Sequence, residues 1–304
     1  FDGQRWTGMA WLDAANRAST PQLTALSDPV NYQITLEPNQ QPWLLTLDAT
    51  PLAPQVVGQT PRLTPDLQWV LTRPVTELLR YQVQSVTLYR AGTELTSVQL
   101  RPNLVLPFES NPRTQAWAQQ LKQAQPDPTS RINAVLAHLR SGGYNYTLEP
   151  GVYGRHSADE FWFDRKLGFC EHIAAGFVVL MRASGIPARV VTGYQGGERN
   201  PLDGFWTVRQ SDAHAWAEVW LAGQGWVRVD PTSAVAPGRT GTFQRLQTPR
   251  GAVASALFGN VNPQLALNLR AVWDAANNRW NQWVLNYSQT RQLDLLKRIG
   301  FDSP

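Results

Sequence analysis

Apolar and polar positions alternate along Val30-Asn31-Tyr32-Gln33-Ile34-Thr35-Leu36, which predicts a strand with one covered face. Trp43 to Leu47 and Leu67 to Leu71 read in the same way. Tyr81 to Tyr89 alternates less cleanly and predicts a strand covered on both faces. Pro51, Pro54, Pro61, Pro65 and Pro74 punctuate the intervals. Short strands between proline-rich turns predict a β-sandwich of about 110 residues. The period changes at Asn111-Pro112. A helix is predicted over Gln115 to Gln123. Asp127-Pro128 then supplies an N-cap and a first-turn proline to a second helix. Ile132, Val135, Leu136 and Leu139 form its apolar stripe, and Gly142-Gly143 ends it.

A third helix starts at Cys170. Ile173, Phe177, Leu180 and Met181 recur at helical spacing, and Gly185 and Pro187 stop it. The period then switches to two. Strands are predicted over Ala188 to Tyr194, Phe205 to Gln210, His214 to Leu221 and Trp226 to Asp230, with a tight hairpin at Ala222-Gly223-Gln224-Gly225. Pro231 to about Asn262 reads as a loop, and Pro263 to Ile299 as amphipathic helix. The fold class is α+β. Three segments are expected: a β-rich, sandwich-like N-terminal domain (1–110), a catalytic core (111–240), and a loop with a C-terminal amphipathic helix (241–304).

Composition narrows the functions. The formal net charge of +4 is spread over 304 residues without a run of five Lys or Arg, which argues against nucleic acid as a partner. It is compatible with an anionic membrane surface or a cell-wall polymer, although most such charge serves plain solvation. No stretch of 18 apolar residues is present, so any membrane attachment is expected to lie in segments outside this sequence. The chain opens at Phe1 with neither Met nor a signal peptide, as a portion of a longer protein would. A single cysteine excludes an intramolecular disulfide.

Cys170 lies at a helix N-terminus, where free N–H groups and the helix dipole favour a thiolate. Position alone leaves two readings, an activated thiol or a buried structural one. The hairpin bears on the choice. His214, Trp216, Glu218 and Trp220 share one face of their strand, and Trp226, Arg228 and Asp230 share one face of the next. If Trp220 pairs with Trp226, Trp216 pairs with Asp230, and Asp230 falls diagonal to His214. A carboxylate there fixes an imidazole tautomer and stabilises an imidazolium. Cys170, His214 and Asp230 thus become candidate nucleophile, base and orienting acid. His172 lies two residues from Cys170, but the four histidines sit in unrelated contexts. No metal site is expected, and Glu171 and His172 are expected to cap or support the site.

Three ordered motifs resemble the transglutaminase-like superfamily. They are Gly168-Phe169-Cys170-Glu171-His172 with Arg182 to Arg189 and Val191 to Tyr194; His214 to Trp220; and Trp226 to Thr232. The resemblance covers roughly residues 130 to 235. It implies a papain-like core with Cys170 as nucleophile, His214 as base and acid, and Asp230 as orienter. The β-rich flank opening on Phe1-Asp2-Gly3-Gln4-Arg5-Trp6 and the trailing helix are similar to the TgpA family of bacterial inner-membrane transglutaminases, in which this portion lies in the periplasm. The implied activity is transfer of an acyl group from a glutamine carboxamide or peptide carbonyl to an amine through a thioester. Trp162 and Trp216 are candidate oxyanion donors or groove residues. Expected substrates are envelope proteins or peptides. No cofactor is expected, and no calcium, because no Asp-rich loop is present. A cysteine peptidase or amidase using water, and a non-catalytic binding module, are the alternatives.

Overall fold

Strand β2 (Val30–Leu36) pairs antiparallel with β6 (Leu79–Ser85) over seven residues, from Val30 opposite Ser85 to Leu36 opposite Leu79. The structure is a computed structural model that describes Trp6 and residues 22–240. The amphipathic helix expected over 263–299 lies outside the described residues. Two further small sheets accompany the β2–β6 pair. β1 (Leu23–Ala25) pairs with β7 (Tyr89–Ala91), and β3 (Trp43–Leu44), β5 (Trp69–Val70) and β4 (Arg62–Leu63) form a three-stranded sheet in that order. Tyr81 and Val83 on β6 are buried with Leu36, Leu44 and Trp69, while Gln82 is exposed. The blurred alternation over Tyr81 to Tyr89 therefore has a different cause from the one expected. The segment is two strands, β6 and β7, broken between them, and β6 covers one face. Positive φ at Leu67 shortens the strand predicted over 67–71.

Helix α1 (Ser97–Leu100) is a single turn closed by a Thr96–Gln99 capping box. Helix α2 spans Pro112–Ala124. It has no local side-chain cap, and its free Arg113 and Thr114 N–H groups donate instead to Asp159, at 3.0 and 2.7 Å. Helix α3 (Pro128–Ser141) is capped by Asp127, which accepts from Ser130 N at 2.7 Å. Strand β8 (Asn145–Tyr146) follows. Helix α4 (Ser157–Asp159) runs into a π-helical stretch, Glu160–Arg165, and then β9 (Leu167–Gly168) pairs parallel with β8. Helix α5 (Cys170–Ala183) is the centre of the core. Ile173, Ala174, Phe177, Val178, Leu180 and Met181 are all fully buried, so α5 is covered nearly all round and not along a single stripe. Gly185, at φ +86°, turns the chain out of the helix, and Ile186 N closes the turn on Met181 O at 2.9 Å.

Strand β10 (Ala188–Tyr194) follows α5, and residues 194–213 belong to a second compact unit. Within that unit β11 (Glu198–Arg199) pairs with β12 (Trp206–Thr207). The strand predicted over 205–210 is cut short because Arg209 N donates to Asp212 Oδ2 at 2.8 Å, closing a 3-10 turn. Strands β13 (Ala213–Leu221) and β14 (Gly225–Val229) form the expected hairpin, in a sheet ordered β10–β13–β14. The loop predicted after Pro231 begins instead with two helical turns, α6 (Thr232–Val235) and α7 (Pro237–Thr240). Ser233 and Ala234 N–H groups bond back to Asp230 and Pro231, and this starts α6.

The hairpin is seated against the β-rich segment. Arg189 on β10 bonds Asp66 at 2.6 Å and Glu218 at 2.7 Å, and its guanidinium lies 4.2 Å from the Trp226 ring centroid. The Trp220 indole donates to Gly92 O at 2.7 Å. Gly225, at φ +79°, lies so close to β7 that a Cβ there would stand 2.1 Å from the Ala91 carbonyl oxygen.

Candidate active site

Cys170 is the first residue of α5 and is 8% exposed. Phe169, before it, is extended and makes no side-chain cap, so the first N–H groups of the helix are left for a ligand. Gly168 is required here, since a Cβ would meet His172 Cβ at 2.7 Å. The thiol packs among Ala174, Ala215, Tyr146, Phe169 and Val190. Its hydrogen-bond partners are the His214 imidazole, the Ala215 N–H and the Tyr146 hydroxyl.

The hairpin register sets Trp220 opposite Trp226 and Ala217 opposite Val229. Continuing it puts Trp216 opposite Asp230 and His214 on the diagonal, as the period-two pattern requires. His214 Nε2 and Asp230 Oδ2 are 2.8 Å apart. With Nε2 committed to the carboxylate, Nδ1 is the nitrogen left for the Cys170 sulfur. Asp230 is held in turn by Thr232 N, which donates to Oδ1 at 3.1 Å.

Burial works against both charges, pushing the Cys170 thiol up and the His214 imidazole down. The hydrogen bonds overcome it. Those from His214, Ala215 and Tyr146 bring the thiol below its ordinary value, and those to Asp230 and Cys170 push His214 up to about 9. The two shifts together favour a thiolate beside an imidazolium over the neutral pair. The stabilisation from a raised imidazole is complete below its unfolded value and is lost as pH rises through about 9. We expect turnover to fall on the alkaline side near that pH. In Asp230→Asn, which weakens the bond that raises His214, this limb should move toward neutrality. An alkaline limb that stays in place in a pH profile of kcat would contradict the assignment.

The other candidates divide. Trp216 stands beside the pair. Its ring is stacked on the His214 imidazole at 6.2 Å, lies 4.2 Å from the Arg228 guanidinium, and touches Gly193 closely enough that a Cβ there would sit 2.9 Å away. Trp162 does not belong to the site. It is 1% exposed, and its indole N–H donates to Gly176 O at 3.1 Å. A glycine at 176 on the buried face of α5 leaves the room that Phe161 and Trp162 fill. Trp162 is a core residue with no free donor, so its candidacy for the oxyanion fails. His172 packs edge-on to Phe169 at 4.5 Å and tilted against Tyr153 at 4.8 Å, and burial keeps it below its ordinary value despite Glu171. Among the described residues, no group of three or more His, Cys, Asp or Glu is arranged to hold a metal ion. Tyr146, which the sequence reading passed over, is the addition. Its only sequence signal was its place two residues after Tyr144, in a short polar–aromatic run.

An α+β core with its thiol at a helix start and its histidine on the adjoining hairpin is the transglutaminase-like fold, and residues 115–231 match the model of the transglutaminase-like superfamily. Residues 1–92 match the TgpA N-terminal domain. The chain belongs to the TgpA family of that superfamily. It is 37% identical, over 98% of its length, to a protein-glutamine gamma-glutamyltransferase of Pseudomonas aeruginosa, and covers 44% of that protein. It is 32% identical, over 46% of its length, to the Bacillus subtilis protein YebA, covering 21% of it. The chain thus spans less than half the length of these curated relatives. A crystal structure of the periplasmic domain of TgpA from Pseudomonas aeruginosa superposes with a TM-score of 0.71 at 37% identity, covering 80% of this chain and 82% of that one. No helix among the described residues is long and apolar enough to cross a membrane.

Proposed function

We propose that this chain is a transglutaminase-type acyltransferase in which Cys170 is the nucleophile, His214 the base and acid, and Asp230 the orienter. The observation that carries the reading is the continuous hydrogen-bonded line from the Cys170 thiol through His214 to Asp230, starting at a helix N-terminus. The thiolate attacks a carboxamide carbon, and the electron pair of the carbonyl moves onto oxygen. The Cys170 N–H, free at the first turn of α5, is one donor to that oxyanion. On collapse the C–N bond breaks, His214 gives its proton to the leaving ammonia, and a thioester remains. An amine, deprotonated by His214, then takes the acyl group. The likeness to a protein-glutamine gamma-glutamyltransferase and to the periplasmic domain of TgpA supports envelope proteins or peptides as donors and acceptors, and a periplasmic location at the inner membrane.

The test is intact-mass analysis of the protein with a glutamine peptide, with and without a primary amine. An adduct of peptide mass less ammonia should form on Cys170 and be discharged by the amine. Discharge by water alone, with added amine ignored, would make the protein an amidase or peptidase. No adduct with any amide donor would leave a binding module.

A further inference from the structure

The oxyanion needs a second donor, and the indoles do not supply it. Trp162 is committed to Gly176 in the core, and Trp216 lies outside the small cluster around the thiol, its ring against His214 and Arg228. Apart from His214, the side chain that hydrogen-bonds the Cys170 sulfur is Tyr146. This tyrosine sits on β8, opposite Gly168 of β9, two residues before Cys170. Thr147 N donates to Gly168 O at 2.9 Å, which fixes the register of that bridge. The ring is half-buried and packs against both the main core and the small cluster around the thiol. Its hydroxyl is therefore delivered by the strand paired with the segment that leads into the helix start. The Ala215 N–H, the other donor to the sulfur, comes from β13, next to the base.

We infer that Tyr146 is a catalytic residue, its hydroxyl being the second donor, with the Cys170 N–H, to the oxyanion formed on the acyl carbon. The inference rests on the acyl-transfer reading above. In the resting protein the hydroxyl donates to the thiolate. When the sulfur forms its bond to carbon, its charge passes to the carbonyl oxygen, which is attached to that same carbon and so lies one bond angle from the sulfur. The hydroxyl follows the charge, from sulfur to oxygen, without transferring its proton. When the C–N bond breaks, the carbonyl re-forms, and the hydroxyl is released. A donor that follows charge in this way binds the tetrahedral state more tightly than the thioester, which is the condition for accelerating the step.

Tyr146→Phe removes the hydroxyl and keeps the ring that packs the core. It should lower kcat about 100-fold with KM little changed, as loss of one oxyanion donor does. The alkylation of Cys170 by iodoacetamide should show its pH midpoint displaced upward, because one donor to the thiolate is gone. The two roles separate on the alkaline side. There the thiolate of the variant is fully formed, and kcat should still be depressed relative to wild type at the same pH. If kcat instead recovers once the thiol has ionised, Tyr146 serves the sulfur alone and the oxyanion role is overturned. Turnover within threefold of wild type at all pH values overturns it too, and leaves the acyl-transfer reading standing. Wild type that forms no acyl-enzyme with any donor removes that reading and the Tyr146 role together. Melting temperature, read alongside, should be close to wild type.

Discussion

Replacing His214 by alanine is expected to lower kcat/KM for acyl transfer by about four orders of magnitude, or about 5 kcal/mol of transition-state stabilisation. Two losses combine. The thiol loses its counter-ion, and burial, which already pushes it upward, is opposed only by the Ala215 and Tyr146 bonds. The leaving amine also loses its proton donor. Alkylation of Cys170 at pH 7 should slow about tenfold or more in the same variant, since the thiolate fraction falls with the rising thiol pKa. Asp230, deprived of its partner at 2.8 Å, keeps its bond from Thr232 N, so the hairpin should stay folded. Acyl transfer within tenfold of wild type, in a variant with an unchanged melting temperature, would remove His214 from the mechanism.

Gly225→Ala should be the most damaging small substitution in the hairpin. The added Cβ would stand 2.1 Å from the Ala91 oxygen and 3.0 Å from its carbonyl carbon, both backbone atoms that have no rotamer to change. The left-handed φ of +79° adds its own strain. A loss of about 3 kcal/mol or more is expected, hence a fall in Tm of roughly 6 °C or more. Gly223→Ala is the internal control. It has nearly the same φ, +75°, but nothing within 4 Å of the added carbon. It should show the backbone strain alone, about 1 kcal/mol. Equal costs for the two variants in denaturant unfolding would mean that the contact with Ala91 does not hold the hairpin. Because His214 and Asp230 ride on β13 and the end of β14, Gly225→Ala should depress turnover as well, while Gly223→Ala should not.

These expectations drew unequally on the sequence. The hairpin was legible because its two strands keep period two and its turn is tight, so the pairing of Trp220 with Trp226 follows, and with it the diagonal between His214 and Asp230. The start of α5 was legible from its stop signals and its apolar spacing. Side-chain destinations were not. Trp162 and Trp216 are both aromatic neighbours of motif residues, yet one fills the space left by Gly176 in the core and the other stacks on the imidazole. Only packing separates them. Tyr146 reaches the sulfur through a two-residue parallel bridge, too short to leave any period. Strands β3, β4 and β5, of two residues each, are equally below the reach of periodicity. Arg189 finds Asp66 across 123 positions, which no local pattern reports.

That last contact carries a consequence for how such proteins can change. Asp66 and Glu218 share one guanidinium, and the Gly92 carbonyl answers the Trp220 indole. The strand that carries the histidine is thereby braced by residues from a separately matched stretch of chain. The two stretches are not interchangeable parts. A chimaera that took its first hundred residues from elsewhere would have to bring a carboxylate to position 66 and a glycine to position 92. Lineages that recombine these segments should therefore exchange them as a matched pair, and drift at one side of the seam should be answered at the other.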